Sequence, residues 1–333
     1  MKKRIILFAV LGILIIFLIF LRPTVSAAKV LLLASEEFPQ IPIKPLGVLT
    51  KQPEKESVVI TYQDKKILGD LFVPKSTQKK PAIIVAMGVK TSDKDKPTLL
   101  GFCESLARLG YVVLWPRLEN LEKDITKFED PQTFIDAFGF LEKQDYVDKS
   151  RISFVGFSVG SSLALVAAEN ETINDNVQSV VFFGGYYNIL DYLSTLSRKT
   201  IGLDSQTIKW LPAESAIDHA QKILEKEGLT LDLFDKKIPI DSSLTKRLSR
   251  FSPDENIDFL KAKIFILHEK SDTFVPYTES IKLKQALEQK GESLVYHQAN
   301  LFDHVQPRKG RSYEMVNEFF GLFVFLHKVF MYL

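Results

Sequence analysis

Residues 151–160 read RISFVGFSVG, and the apolar run LALVAA follows them at residues 163–168. The first half of this stretch is rich in β-favouring residues, and the second run is typical of a buried helix. Between them, Gly156-x-Ser158-x-Gly160 puts a serine on a tight strand-to-helix turn, where larger side chains at the two glycines would clash. The stretch therefore predicts a strand, a helix and a candidate nucleophile, Ser158.

Two other interpretations of this turn remain open. A glycine-rich turn between a strand and a helix can serve close packing alone, and a helix N-terminus can bind phosphate. The phosphate interpretation is the weaker one, because the turn has neither the G-x-x-x-x-G-K-[ST] nor the G-x-G-x-x-G spacing.

Apolar strands and amphipathic helices alternate from Ser57 onward. The predicted strands are Ser57–Tyr62, Ile67–Val73, Ala82–Ala86, Tyr111–Trp115, Arg151–Val155, Val177–Phe183, Ala262–Leu267 and Leu294–Gln298. The predicted helices include Pro97–Leu109, Pro131–Lys143 and Tyr277–Lys290. The first two strands are typical of an antiparallel hairpin. The later alternation predicts an α/β fold, with a mostly parallel twisted sheet and helices on both faces.

Residues 186–258 interrupt this alternation. They contain helical patches but no strong strand, and they predict a helical cap insertion over the carboxyl edge of the sheet, where ligands bind in such folds. Four aromatic residues of the cap, Tyr186, Tyr187, Tyr192 and Trp210, suit an apolar or aromatic acyl group.

Asp272 and His304 each follow a predicted strand. A serine hydroxyl becomes a nucleophile only with a base in hydrogen-bond reach and a third group that orients the base. Alone, Asp272 fits a turn or a helix N-cap, and His304 fits a surface loop. Their order after Ser158, each at a strand end, favours a catalytic triad of Ser158, Asp272 and His304.

The remaining cysteine and histidines indicate no further chemistry. Cys103 is the single cysteine and lies on the apolar face of a predicted helix, so it is expected to be a core residue. No metal-binding pair such as H-x-x-x-H occurs, so neither a metal nor a cofactor is predicted. The histidines outside the predicted triad are His219, His268, His297 and His327.

Overall composition excludes several classes of protein. With 46% hydrophobic and 25% charged residues, the 333-residue chain can bury a large core, so a disordered or disulfide-scaffold protein is excluded. Lys and Arg number 43 against 41 Asp and Glu, a formal charge of +2. This balance gives no support to a nucleic-acid partner.

The first 22 residues are predicted to be a transmembrane signal anchor or a signal peptide. Lys2, Lys3 and Arg4 precede an uninterrupted apolar run over Ile5–Leu21, which as a helix is just long enough to cross a bilayer core. The small residues 25–27 also suit a signal peptidase. Because basic residues stay in the cytoplasm, the later domain is expected outside it, membrane-anchored or, after cleavage, secreted.

Composition also distinguishes residues 23–56 and residues 319–326. The proline-rich residues 23–56 are predicted to be an extended linker with no fold of its own. Near the C-terminus, the apolar run over residues 319–326 is too short to span a membrane and predicts a last helix packed on the core.

With these elements in place, the chain resembles the α/β-hydrolase family, especially its dienelactone-hydrolase-like and acyl-peptidase-like esterases. The resemblance rests on ILGDLFVP at residues 67–74, on the turn at Ser158 and on DTFVP at residues 272–276. It implies an α/β-hydrolase catalytic domain over residues 57–333. It also implies an oxyanion hole of two backbone N–H groups, from Val159 and from Val89, in a loop where Met87 replaces the family's usual histidine.

The function implied is that of a serine hydrolase, a carboxylesterase acting on small or medium esters through an acyl-enzyme intermediate. Two alternatives remain open: a serine peptidase of short peptides, and a catalytically silent, membrane-tethered binding module. The expected partners are a small-molecule ester or short peptide and, through the N-terminal segment, the membrane.

Overall fold

The computed structural model describes residues 21–62, 65–88, 96–118, 130–203, 206–225, 228–235, 242–308 and 314–333. Eight strands form one sheet. Most of them are connected through helices, which place consecutive strands side by side. In chain order, seven of them are β1 (Glu54–Tyr62), β2 (Lys65–Val73), β3 (Lys80–Ala86), β4 (Val112–Pro116), β5 (Val147–Phe157), β6 (Val177–Phe183) and, after two short strands given below, β9 (Lys263–Glu269). The eighth is β10 (Leu294–Ala299).

The order of strands across this sheet is β1-β2-β4-β3-β5-β6-β9-β10. β1 and β2 form the predicted antiparallel hairpin, and β2 is also antiparallel to β4. From β4 to β10 every neighbouring pair is parallel. The carboxyl ends of these strands therefore meet at one edge, which we call the upper edge; their amino ends form the lower edge.

Helices cover both faces of the sheet. In chain order they are α1 (residues 21–37), α2 (Leu46–Leu49), α3 (Lys96–Arg108), α4 (Asp130–Glu142), α5 (Val159–Ala168), α6 (Ile189–Arg198), α7 (Glu214–Glu225), α8 (Ser242–Leu248), α9 (Thr278–Gln289) and α10 (Glu314–Tyr332). Alternate side chains of a strand point to opposite faces. On β3, Ile84 packs in the apolar core beneath α4 and α5, whereas Ile83 and Val85 pack in the core beneath α1, α3 and α10.

The predicted extended linker over residues 23–56 is wrong in its first part, which is α1. This segment buries three apolar side chains, those of Val30, Leu33 and Phe38. The Phe38 ring meets the Phe319 ring of α10 edge-on, with 4.6 Å between ring centroids. Pro23 lies in the first described turn of α1, and the other prolines of the segment lie beyond residue 38, so they do not interrupt α1. Burial against α10 stabilises the helix.

Residues 186–258 contain α6, α7 and α8, as the helical patches predicted. They also contain one short hairpin that the sequence did not indicate, formed by β7 (Thr200–Leu203) and β8 (Gln206–Lys209). This segment lies between β6 and β9 in the chain and contacts the loop that follows β9, as described below.

Most of the predicted membrane segment, residues 1–20, lies outside the described residues. Among the residues that the structure does describe, no helix is both long enough and apolar enough to cross a membrane. The C-terminal apolar run forms part of α10, and its Leu322 and Phe325 are buried in the core, as expected.

Glu169, directly after α5, is expected to make the stability of the fold depend on pH. Its side chain is buried, and neither carboxyl oxygen has a hydrogen-bond partner among the described residues. Burial and the nearby charge of Asp254 raise the pKa of Glu169 well above its ordinary value. The folded protein therefore keeps a proton that the unfolded chain loses as the pH rises past about 4.3, and stability is lost with rising pH.

We expect Glu169→Gln to increase the free energy of unfolding at pH 7, because the amide is neutral in both the folded and the unfolded chain. The difference between variant and wild type should shrink as the pH is lowered toward 4. Urea unfolding at several pH values measures it. A constant difference across that range would contradict the proposed titration of Glu169.

Candidate active site

The turn that carries Ser158 has the strained geometry that its two glycines predict. Ser158 has φ 53° and ψ −138°, a conformation that side chains rarely adopt. A Cβ at Gly156 would lie 2.3 Å from the Ser161 Cα, and one at Gly160 would lie 2.4 Å from the Met87 carbonyl. Both glycines are therefore required by close backbone contacts, and the turn presents the half-buried Ser158 at the upper edge.

The loop after β3 lies directly against Ser158. A Cβ at Gly88 would lie 2.8 Å from the Ser158 Cβ and 3.2 Å from its Oγ. Val89, the predicted second oxyanion donor, lies outside the described residues. Val159, the other predicted donor, is the first residue of α5. The first N–H groups of a helix have no partner within it, so the Val159 N–H is available to an anion.

Asp272 and His304 form a direct hydrogen-bonded pair. The His304 Nδ1 lies 2.6 Å from the Asp272 Oδ2. The other carboxylate oxygen accepts hydrogen bonds from the Phe274 and Val275 N–H groups, at 2.7 and 3.0 Å. Asp272 is buried, which opposes its ionisation, but the charge and hydrogen bond of His304, together with His268, outweigh burial and hold the pKa of Asp272 below its ordinary value.

Besides Asp272, the residues Phe274 and Gly184 lie beside the imidazole of His304. Its ring stacks on Phe274, with 4.8 Å between centroids, and its backbone has a φ of 58°. A Cβ at Gly184 would lie 3.4 Å from the His304 Cε1. Gly184 directly follows Phe183, whose carbonyl accepts the Ser158 N–H at 2.8 Å. The imidazole of His304 and the turn of Ser158 therefore both lie against Phe183 and Gly184, at the end of β6.

The second nitrogen of this imidazole, Nε2, accepts and donates no hydrogen bond among the described residues. The His304 Nε2 is buried and has no hydrogen-bond partner among the described residues, Ser158 included. The Asp272 pairing at Nδ1 leaves Nε2 as the proton acceptor of a neutral imidazole. Such catalytic hydrogen bonds are often long without substrate and tighten when one binds.

Glu269 was not identified from the sequence, yet it connects the loops of Asp272 and His304. Its fully buried carboxylate accepts the Leu301 and Phe302 N–H groups on one oxygen, both at 2.9 Å. The other oxygen accepts from Ser271, at 2.9 Å from the hydroxyl, and from Arg308 at 3.2 Å. A single carboxylate thus fixes the residues just before both Asp272 and His304.

Glu269→Gln is expected to lower kcat by about 10- to 100-fold with a smaller change in KM, because a small displacement of the base costs that much. The amide has one acceptor oxygen and cannot serve both sets of donors. Glu279→Gln is the matched control: Glu279 is also buried and accepts the Tyr187 and Asn188 N–H groups, but it does not touch the His304 loop. Equal losses of kcat in both variants would argue against a positioning role for Glu269.

Among the described residues, three hydrogen bonds join residues 186–258 to the loop that carries Asp272, which we call the acid loop. The Trp210 indole donates to the Asp272 carbonyl and the Tyr192 hydroxyl to the Phe274 carbonyl, both at 2.9 Å. The Ala213 N–H donates to the Thr273 carbonyl at 2.7 Å. Tyr192 and Trp210 are buried, so these rings, which the sequence suggested for substrate, hold the acid loop in place.

The remaining histidines and the cysteine lie elsewhere or act locally. His268 is buried, 3.4 Å from the Asp272 Oδ2 and 3.0 Å from the Val275 carbonyl. His327 pairs with the Pro23 carbonyl. Cys103 is fully buried, and burial raises the pKa of its thiol. Within the described residues, no group of three His, Cys, Asp or Glu side chains is arranged to hold a metal ion.

Solved structures share this arrangement of strands and helices. An acylaminoacyl peptidase of Pyrococcus horikoshii matches with a TM-score of 0.51 and 16% identity, over 84% of this chain and 41% of that one. The 2,6-dihydroxy-pseudo-oxynicotine hydrolase matches with a TM-score of 0.57 and 14% identity, over 84% and 68%. The chain has the α/β-hydrolase fold. It spans about two fifths of the length of the peptidases it matches, among them a puromycin-hydrolyzing peptidase of Mycobacterium tuberculosis.

One curated protein is similar in sequence. It is a probable 2-oxo-3-(5-oxofuran-2-ylidene)propanoate lactonase of Bradyrhizobium, 27% identical over 224 residues, which cover 61% of this chain and 79% of the lactonase. No protein-family model matches the chain. By their names these proteins are hydrolases, among them a lactonase and peptidases, and the chain shares its fold with the solved structures.

Proposed function

We propose that this α/β-hydrolase chain is a serine hydrolase that cleaves carboxylic esters of small or medium substrates through an acyl-enzyme intermediate. One observation carries the proposal: a buried carboxylate orients the imidazole of His304 at Nδ1 and leaves its Nε2 unused beside the strained Ser158 turn. His268 and His297 also have a buried ring nitrogen without a partner among the described residues. What distinguishes His304 is that its Nδ1 pairs with Asp272 and its ring lies against Gly184, next to the carbonyl that accepts the Ser158 N–H.

The proposed steps follow from this geometry. The His304 Nε2 takes the hydroxyl proton of Ser158, whose oxygen attacks the ester carbonyl carbon. Asp272 stabilises the imidazolium formed, and the Val159 N–H stabilises the negative charge on the carbonyl oxygen. His304 then protonates the departing alcohol. Water, activated by the same imidazole, releases the acid and restores Ser158.

A fluorophosphonate probe tests the nucleophile. The wild-type chain is expected to become labelled, and Ser158→Ala to remain unlabelled while its circular dichroism spectrum stays that of the wild type. Ser161→Ala is a control, since Ser161 lies on the same turn but donates to the Ser158 carbonyl at 2.7 Å. A folded wild type without label, or equal labelling of Ser158→Ala, would refute the proposal.

The sequence similarity to a lactonase favours esters over amides as substrates, because a lactone is a cyclic ester. The peptidases share only the fold, so peptide cleavage is the second candidate. A panel of p-nitrophenyl esters of graded acyl length and aminoacyl p-nitroanilides separates the two. Faster turnover of the anilides would replace the esterase assignment by a peptidase, and no turnover of either by the labelled enzyme would favour a binding module.

We also propose that residues 1–22 attach the chain to a membrane with the hydrolase domain outside the cytoplasm. The support is the basic start and the apolar run over Ile5–Leu21. Alkaline carbonate extraction of the expressed full chain tests attachment, and protease digestion of intact cells tests the side. Release of the full-length chain by carbonate would reject the anchor, and an N-terminus processed near residue 27 would indicate a cleaved signal.

A further inference from the structure

A cavity opens at the lower edge of the sheet, opposite the active site. It has a volume of about 570 Å³ and is lined by residues 21–29 of α1, by Arg151 in the first half of β5 and by Gln178 near the start of β6. β5 runs from this cavity to Ser158. At about 3.3 Å per residue, the six residue steps from Arg151 to Phe157 place the two sites about 20 Å apart.

Three cations line the cavity. Arg22, Lys29 and Arg151 line it, and none of the described residues around it is an aspartate or glutamate. Lys29 donates to the Tyr111 hydroxyl at 2.9 Å and lies 4.1 Å from the centre of that ring. Arg151 donates to the main-chain oxygen of Leu333, the last residue of this sequence, and so already has a partner. Burial and the positive charges of Arg151 and Lys80 lower the pKa of Lys29 to about 8.

The rim of the cavity is apolar and exposed. Leu21 and Val25 of α1 line it with 44% and 46% of their surfaces exposed, and Tyr332, 40% exposed, lies beside it at the end of α10. The Gln178 side chain donates to the Tyr332 carbonyl, which fixes this end of α10 to the cavity wall. Cations surrounded by exposed aliphatic and aromatic side chains are typical of a protein surface at the headgroup layer of a membrane.

We propose that this cavity binds the phosphate of an anionic phospholipid headgroup. Arg22 and Lys29, two cations of the cavity without a carboxylate partner among the described residues, match the single negative charge of a phosphodiester, and the apolar rim matches the first carbons of the acyl chains. The apolar residues 5–21 lead directly to Arg22, so the proposed membrane attachment, on which this inference rests, brings the cavity to the bilayer surface. The lower edge then faces the membrane, and Ser158, about 20 Å farther out, receives substrate from the aqueous phase.

The test uses the full chain in nanodiscs of phosphatidylcholine, with and without phosphatidylglycerol. Phosphatidylglycerol is expected to raise the Tm of the wild type by about 3 °C or more. Arg22→Gln and Lys29→Gln should each lose at least half of this increase. Lys261→Gln is the matched control, because Lys261 is an exposed cation just before β9 that pairs with Asp175 instead of lining the cavity.

Every outcome of this test decides the inference. No effect of phosphatidylglycerol on the wild type, or equal effects on wild type and both cavity variants, would overturn it. Arg22 is exposed, so Arg22→Gln is expected to fold even if Lys29→Gln does not, and the Tm in phosphatidylcholine reports this. Inorganic phosphate, titrated into the detergent-solubilised chain, is the second arm: full, cavity-dependent stabilisation by phosphate alone would assign a soluble ligand and reject the lipid.

Two further measurements separate this inference from the proposals on which it depends. A chain that fails to enter nanodiscs would reject the membrane attachment and, with it, the lipid assignment. Fluorophosphonate labelling in the same discs reports the active site by itself, and it should be unchanged in Arg22→Gln. Retained labelling with no response to phosphatidylglycerol would leave the hydrolase proposal intact and overturn the lipid site alone.

Discussion

His304→Ala is expected to lower kcat/KM for the best ester substrate by about 10⁵- to 10⁶-fold, the loss seen when the general base of such a triad is removed. Without the imidazole, Ser158 holds its proton at neutral pH, and no other described base is positioned to take it. His268, which also lies beside Asp272, directs its Nε2 toward Val275 and Asp272. The activity that remains would come from substrate binding and the oxyanion site.

The control for this loss is His297→Gln. His297 lies on β10 and stacks on Phe325 of α10, with 6.0 Å between ring centroids, so its replacement alters packing without touching the site. We expect its kcat/KM to stay within about threefold of wild type. Initial rates with an active-site titration by fluorophosphonate measure both variants. Activity of His304→Ala within tenfold of the wild type would show that another group is the base.

The parallel sheet could be predicted because its strands carry their own signal. The run Val177–Phe183 is continuous, apolar and bounded by turn residues, and β6 has these bounds. The positions of Asp272 and His304 after β9 and β10 also follow from the sequence, since carboxyl ends of parallel strands share an edge. Their separation of 2.6 Å could not be predicted, because it depends on loop conformations such as the positive φ of His304.

Two features depended on distant partners and were therefore missed. The helix α1 is stabilised by α10, almost three hundred residues later in the chain, and the nearby prolines and the preceding apolar run suggested a linker instead. Glu269 looks in sequence like an ordinary charged turn residue. Only the fold brings Leu301, Phe302 and Arg308 to its carboxylate, so no local pattern indicates that it is buried.

Two aromatic residues of the cap have a structural role that the sequence did not indicate. Tyr192 and Trp210 were expected to accommodate a substrate, since aromatic rings often line apolar pockets. Both are buried, and their polar atoms satisfy the carbonyls of Phe274 and Asp272. A buried Tyr or Trp needs a partner for its O–H or N–H, and here the acid loop supplies it.

Asp272→Asn is expected to lower kcat/KM by about 10⁴-fold while the fold is kept. The Phe274 and Val275 N–H groups both donate to the Oδ1, so the asparagine must keep its oxygen there and turn its NH₂ toward the His304 Nδ1. The imidazole then has to accept at Nδ1 and carry its proton on Nε2, where it cannot take the proton of Ser158. The substitution changes the tautomer without removing a side chain.

The matched control is Asp303→Asn, which alters the exposed carboxylate next to His304 in the chain and is expected to stay within about threefold of wild type. Steady-state rates give kcat/KM, and thermal melting shows that both variants fold.

The pKa of Asp272 lies below its ordinary value in the folded chain, so its charge stabilises the fold above about pH 4 and loses that effect as the pH falls. Asp272→Asn should therefore melt at a lower temperature than wild type at pH 7, and the gap should narrow toward pH 3. Full activity of Asp272→Asn, with Asp303→Asn inactive, would transfer the orienting role to the neighbouring carboxylate.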